Sequence, residues 1–431
     1  MSDRTATVEH LLRTEAPQVL GALVRRFGRF DVAEDAVQEA LLAASRAWTA
    51  DGVPENPRGW LIRIGYRKMV DLLRSEQARR RREQEAGLAE SARHDPTRHA
   101  VPAPDTDDSL TLLLLCCHPA LSTTSQVALT LRAVGGLTTA EIAHAHGTTE
   151  NTTGTRISRA KQQLARAGAR FTPPSDADRA GRIAAVMQVL YLIFNEGYTT
   201  SSGEELTRVD LTREAIRLAR MLRDTLPADD AATAEATGLL ALMLLTDARQ
   251  PARTGDDGEL VPLEEQDRTR WDAGLIREGT ALIDSVWHRG RIGPYQLQAA
   301  IAAVHAGAES PGQTDWPQIA ALYLWLERLA PTAPVRLSRV VAVARAHGPE
   351  RGLVLLDHLN ERHHLDQEPL TRQRERAVRA HLLQLTGDTT DAAALYREAA
   401  TLTDNHVEQR YLHDKADRLD PPGGDRARRF S

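Results

Sequence analysis

Apolar residues in this chain return every three or four positions and almost nowhere every second one. Val8, Leu11, Leu12, Leu20, Leu23, Val24 and Phe27 share one face of a helix, and so do Ala33, Val37, Ala40, Leu41 and Ala44. Runs rich in Val, Ile, Tyr and Phe, which would feed a sheet, are scarce, and aromatics are only 4% of the residues. Ala, Leu and Arg dominate instead, and they favour helix. The chain is expected to be all-α, and its 431 residues suggest about three domains.

Punctuation along the chain divides it. Residues 1–77 read as a compact helical unit. Pro17 is expected to kink or split its first helix. A second helix opens at Asp31 with a capping-box pattern, Asp31-x-x-Glu34. Gly52, Pro54, Asn56 and Pro57 turn the chain into a third helix, from Arg58 past Arg74. Residues 78–108 open with Arg79 to Arg82 and run through Pro96, Pro102 and Pro104 to Asp105, Asp107 and Asp108 without apolar periodicity, as an extended linker does. Residues 109–171 form a second helical unit, closed by Pro173 and Pro174. From 181 to 431 the chain reads as paired helices. The turns at Gly348 and Gly387 each follow one Ala- and Leu-rich helix and precede another, and Leu239–Leu245 and Ala299–Ala306 suit earlier first helices of such pairs. Ala380, Gly387, Tyr396 and Ala399 have a tetratricopeptide-like layout, the mark of a stacked helical repeat.

The stretch with most chemical content lies in the second unit. Thr138 and Glu141 form a capping box, Ile142 supplies an apolar anchor, Ala143 a close contact and Gly147 the turn. A basic helix follows, from about Thr149 to Leu164. This is the spacing of a helix-turn-helix, whose second helix enters a major groove. From Asn151 to Arg170 there are Arg156, Arg159, Lys161, Arg166 and Arg170 and no acid. Phosphates attract such a segment, while Thr149, Glu150, Asn151, Thr152 and Thr155 are placed to reach base edges. The bland alternative is a helical hairpin with a solvated basic face.

Much else is excluded. The net charge of −5 rules out a uniformly basic chain, although charge is locally segregated. The adjacent Cys116 and Cys117 cannot found a disulfide framework, and they fit a reducing cytoplasm. Cys116-Cys117-His118 lacks the second ligand pair of a zinc site, and His144 and His146 face different sides of a helix. There is no phosphate-binding glycine loop and no His-Glu-x-x-His. No signal peptide is visible, and the longest apolar run, Leu110 to Cys117, is too short for a bilayer. A non-enzyme without metal, cofactor or membrane association is expected. The cluster Glu265-Gln266-Asp267-Arg268 with Trp271 suits either a ligand pocket or a salt-bridged corner, the latter being commoner.

Two further stretches, taken with the helix-turn-helix, resemble the sigma-70 family in its extracytoplasmic-function branch. The first is Val32-Ala33-Glu34-Asp35-Ala36-Val37-Gln38-Glu39-Ala40. The second is Asn56-Pro57-Arg58-Gly59-Trp60-Leu61, leading to Arg67-Lys68 and Asp71-Leu72-Leu73-Arg74. Glu141-Ile142-Ala143 and Arg156-Ile157-Ser158-Arg159-Ala160-Lys161 are similar to the family's DNA-reading domain. The resemblance implies that Asp35, Gln38 and Glu39 bind core RNA polymerase. It implies that the helix carrying Trp60, Arg63, Arg67, Lys68 and Arg74 captures and opens the minus-ten element, and that Thr149, Asn151, Thr152, Thr155, Arg156, Arg159 and Lys161 read the minus-thirty-five element. It also places the linker in the RNA exit path. Family members commonly have Asn at Arg67, an apolar residue at Thr153 and a better helix former at Gly154.

The C-terminal part resembles a subgroup with a tetratricopeptide-like extension, through Phe194-Asn195-Glu196-Gly197-Tyr198, Gly238 to Met243, Glu265 to Trp271 and Gly293-Pro294-Tyr295-Gln296. There the extension regulates activity, which implies a contact between it and the sigma domains. Residues 195–198 are expected to form a turn that docks it on the DNA-reading domain. Two other classes fit parts of the chain. A one-component helix-turn-helix regulator with a helical ligand-binding domain leaves the acidic helix unexplained, and a solenoid scaffold leaves the first 170 residues unexplained.

Overall fold

A computed structural model of the chain describes residues 2–85 and 108–420, apart from Gly147, Pro173, Asp229, Asp256, Arg291 and Leu370. The expected linker from 86 to 107, with its prolines and Asp105 and Asp107, lies outside the described residues, as do the side chains of Arg79 to Arg82 and the turn glycine Gly147. The fold is all-α, as its periodicity requires. Two compact units are present, one holding residues 1–144 and 148–192, the other 145–147 and 193–431.

In the first unit α1 (Ser2–Phe27), α2 (Phe30–Asp51) and α3 (Pro57–Glu85) pack together. Val19, Leu20, Leu23 and Val24 of α1 meet Ala33, Ala36, Val37, Ala40 and Trp48 of α2 and Leu61 and Met69 of α3, all buried. Helix α1 runs unbroken through Pro17. The buried residues on both sides of Pro17 offset the loss of one backbone hydrogen bond, so the helix is not split there. Helix α3 continues to Glu85, eight residues into the expected linker, because Arg, Glu, Gln and Ala extend a helix without needing an apolar face. Its start is fixed by Asn56, whose Oδ1 accepts from Gly59 N at 2.8 Å with Pro57 at the first helical position.

Four helices follow: α4 (Ser109–Cys116), α5 (Thr123–Ala133), α6 (Thr139–Ala145) and α7 (Glu150–Arg166). Leu112 to Leu115, Leu129, Leu131, Ile142, Ile157 and Leu164 form their core. Cys116 and Cys117 are free, buried thiols, and burial pushes Cys117 up to about 12. The helix α8 (Asp176–Tyr198) carries the chain from the first unit into the second.

The second unit contains α9 (Val209–Thr225), α10 (Ala231–Asp247), α11 (Ala273–Trp287), α12 (Pro294–Gly307), α13 (Trp316–Leu329), α14 (Ala333–His347), α15 (Pro349–His363), α16 (Arg372–Thr386), α17 (Thr389–Thr401) and α18 (His406–Leu419). Consecutive helices pair, and successive apolar clusters join the pairs. Gly348 and Gly387 sit between helices at φ 102° and 93°, where a side chain would be strained. Ala380, Tyr396 and Ala399 share one buried cluster, as the repeat layout predicts. Gly238 lets α10 meet the start of α12, since an added Cβ would lie 2.7 Å from Gln296 N. The nearby Glu235 carboxylate accepts from Tyr295 N and Gln296 N, both at 3.1 Å, and so caps α12 from the neighbouring helix.

The end of this unit is tied back to its beginning. Ser202–Gly203 pairs with Asp404–Asn405 as a two-residue parallel ladder. The buried Asn405 caps α18 by accepting from Val407 N and Glu408 N, each at 3.0 Å. Its amide donates to Thr200 O at 3.1 Å, Thr200 Oγ1 at 2.9 Å and Glu205 O at 3.3 Å. Asn405→Ala removes a helix cap and leaves those acceptors buried, so a loss of about 2 kcal/mol is expected in urea unfolding.

Candidate nucleic-acid interface

The helix-turn-helix forms as its residues dictate. Thr138 N donates to Glu141 Oε2 at 2.7 Å while Glu141 N donates to Thr138 Oγ1 at 3.1 Å, a reciprocal capping box at the start of α6. Thr149 caps α7, its Oγ1 accepting from Thr152 N at 3.2 Å. Ile142 and Ile157 bury their side chains beneath the two helices. Thr153, at a position where an apolar residue is common, is also buried, and its hydroxyl is satisfied by Thr148 Oγ1 at 2.9 Å.

Outward from this core α7 presents Thr149, Asn151, Thr152, Thr155, Ser158 and Arg159, all exposed, with Arg156 half-buried. Thr139, Asn151, Thr155, Ser158 and Arg159 line one open groove. Gly154 borders it, and a Cβ there would meet only Thr139 Cγ2, at an ordinary 3.7 Å. Gly154→Ala is therefore expected to stabilise the protein by about 1 kcal/mol, read as a higher Tm.

The third helix shows a second basic face. Arg63, Arg67 and Arg74 are exposed along α3, and no carboxylate among the described residues pairs with them. Lys68 approaches Glu39 at 3.4 Å, an exposed and weak pair. Trp60 is half-buried, its ring 5.5 Å from that of Trp48 and edge-on to it, while Tyr66 lies 5.3 Å from Phe27. Both aromatics thus serve the packing of the first three helices, and Trp60 stays partly accessible.

Lys161 is elsewhere. Residues two apart on a helix point about 200° apart, so Lys161 cannot share a groove with Arg159. It turns inward, where its Nζ bonds Glu34 Oε2 at 2.8 Å and Asp35 Oδ1 at 2.6 Å. Arg132 Nε bonds the other Glu34 oxygen at 2.8 Å. Glu34 is only 2% exposed. Burial alone would raise its carboxyl, but Lys161 and Arg132 outweigh that and hold it below the usual carboxylate range. The expected capping box at Asp31 does not form: Asp31 pairs with Arg29, and Glu34 faces the second group of helices. That group is further tied to α1 by Gln18 Nε2 donating to Ser109 Oγ at 3.1 Å and by the ion pair of Arg25 with Asp108, which rests against Gly21. Asp35 and Glu39 remain exposed and Gln38 is half-buried.

Both groups of helices match known sequence families. Residues 11–79 match Sigma-70 region 2, and residues 111–164 match Sigma-70, region 4. The chain belongs to the sigma-70 family. Residues 182–287 match a family of unknown function, DUF6596. An uncharacterised protein of Rhizobium meliloti (strain 1021) is 39% identical over 423 residues, covering 96% of each chain. No solved structure matches.

A sigma-70 family factor serves promoter recognition in transcription initiation, with core RNA polymerase and promoter DNA as partners. In this factor α1–α3 are the region 2 helices and α4–α7 those of region 4. Most of the residues expected from sequence lie on two separate accessible faces. Arg63, Arg67, Lys68, Arg74 and the half-buried Trp60 are on α3, whereas Thr149, Asn151, Thr152, Thr155, Arg156 and Arg159 are on α7. Lys161 joins neither face. The sequence suggests a capping role for Glu34 and none for Arg132; the hint to their pairing is an acid at a position facing the apolar side of α2. Among the described residues no cluster of His, Cys, Asp and Glu has metal-binding geometry, and no helix is long and apolar enough to cross a membrane.

Proposed function

We propose that this chain is an extracytoplasmic-function sigma factor, acting in the cytoplasm without covalent catalysis, whose C-terminal helical extension regulates it. Core polymerase is bound through Asp35, Gln38 and Glu39. The α3 face with Trp60, Arg63, Arg67, Lys68 and Arg74 holds the opened minus-ten element, where cations beside an aromatic edge suit unstacked bases. The α7 face reads the minus-thirty-five element, with Thr149, Asn151, Thr152 and Thr155 at base edges and Arg156 and Arg159 at phosphates.

The observation that carries this reading is the Lys161–Glu34–Asp35 contact, which joins the DNA-reading domain to the acidic helix assigned to polymerase. A charged surface evolved for a basic partner is here engaged by a base from the same chain. The factor is thus closed when alone, and polymerase competes with Lys161 for Asp35. The extension biases this equilibrium.

The test is transcription from the chain's own upstream region with purified factor and core RNA polymerase. Initiation that requires both supports the proposal. DNA binding without polymerase, and no initiation, would instead favour a one-component regulator. Truncation after Phe171 is expected to change promoter output, and equal transcription by both forms would remove the regulatory role of the extension.

A further inference from the structure

The extension contains a group of cations that form no ion pair among the described residues. Arg249 lies just after α10 and leads into a 3-10 turn at Gln250–Ala252, while Arg268 opens another at Arg268–Arg270. The two turns pack together, and Asp272 N donates to Ala248 O at 2.9 Å beside them. The guanidinium groups of Arg253 and Arg249 lie over the same Tyr198 ring, 3.7 and 6.0 Å from its centre. Arg268 stacks on Trp271 at 4.8 Å and donates to the backbone oxygen of His305 at 2.9 Å.

Among the described residues no carboxylate comes within ion-pair distance of Arg249, Arg253 or Arg268. Asp247 and Glu408 exert only a longer-range attraction, on Arg253. Burial and Arg249 both depress Arg268, and burial, Arg249 and Arg268 together hold His305 down at about 4. Arg253 is spent on the chain itself, donating to Tyr198 O and to Thr199 Oγ1. Arg268 also bonds the chain through its two terminal nitrogens, but among the described residues Arg249 Nε, Arg268 Nε, Trp271 Nε1 and His305 Nδ1 are buried without a hydrogen-bond partner. A buried tryptophan N–H normally finds an acceptor, and buried guanidinium groups normally find an anion.

We infer that Arg249, Arg268, Trp271 and His305 form a binding site for a small organic oxyanion, a carboxylate or a phosphate. The assignment follows from what the group lacks. Its unsatisfied atoms include three N–H donors and one imidazole nitrogen, its charge is positive, and a planar guanidinium edge matches two oxygens of one oxyanion. Trp271 and Tyr198 supply aromatic walls for the organic part of the molecule. In the cluster Glu265-Gln266-Asp267-Arg268, Glu265 pairs with Lys415 at 3.7 Å, whereas Arg268 takes no part in a salt bridge and bonds backbone carbonyls and Thr314 rather than an acid. The site lies in the proposed regulatory extension, but its existence does not depend on that reading.

The experiment titrates the full chain with inorganic phosphate and, separately, with succinate, each against sodium chloride at matched ionic strength, by calorimetry and thermal unfolding. One saturable site per chain and a raised Tm are expected with at least one probe. A response to phosphate alone identifies a phosphate ligand, and a response to succinate alone a carboxylate. Arg249→Gln and Arg268→Gln are each expected to weaken binding at least about tenfold, as loss of a charge-assisted bond implies. Should either fail to fold, Arg249→Lys, which keeps charge but loses the planar edge, and Trp271→Phe, which removes one N–H, make the same comparison. No response to either probe, or an undiminished response in the variants, overturns the inference.

Discussion

Glu34→Ala is expected to destabilise the first unit by about 3–5 kcal/mol, the range for breaking a buried pair from one side. The carboxylate is almost fully enclosed, and its removal takes the carboxylate from Arg132 and leaves Lys161 with Asp35 alone, where the two cations are themselves 15% and 10% exposed. Urea unfolding of the full chain measures the effect. Combining Glu34→Ala with Lys161→Met should recover part of the loss, because the buried ammonium that has lost one of its two carboxylates is then gone. A loss below about 1 kcal/mol would mean that this contact does not hold the two groups of helices together. The pH dependence has a definite sign. The Glu34 carboxyl is lowered in the folded chain from its ordinary 4.5, so its contribution is complete above that value and disappears as pH falls through the lowered one. The difference between wild type and Glu34→Ala should therefore be flat near neutrality and shrink in acid.

Reversing both exposed acids, Asp35→Lys with Glu39→Lys, is expected to weaken binding to core RNA polymerase by about a hundredfold or more, since like charges across an interface cost several kcal/mol. Fluorescence anisotropy of labelled factor gives the affinity. Asp35→Lys also sets an ammonium beside Lys161, so thermal unfolding of the same variant is needed to separate loss of partner binding from loss of fold. Glu39→Lys alone, whose ion pair among the described residues is the exposed one with Lys68, should fold normally and carry part of the affinity loss. Unchanged affinity in a folded double variant would reject the acidic face as the polymerase contact.

What could be read from sequence was local. Capping at Thr138, Glu141 and Thr149 depends on residues three apart, and the glycine turns at 348 and 387 on single positions, so both appear as expected. Glu34 was misread for the same reason. Three residues after Asp31 it has the spacing of a cap, but its partners are Arg132 and Lys161, which no periodicity connects to it. Lys161 was grouped with Arg156 and Arg159 by composition, whereas helix phase sends it to the opposite side. The end of α3 was lost because a polar, well-formed helix and an extended charged linker have similar compositions. Arg268 was paired in expectation with the nearest acids in sequence, although side chains so close along a turn need not face one another.

The tie from Asn405 to Thr200 and Glu205 alters how the extension should come apart. A row of stacked helix pairs ordinarily frays from whichever end is weaker, losing one pair at a time. Here the last helix is latched to the segment that precedes the first pair, so neither end is free to peel alone. Removing α18 would not shorten the row by one helix. It would release the opposite terminus as well, and a protease or a truncation acting at residue 405 would be felt two hundred residues upstream, next to the helix that leads out of the promoter-recognising unit.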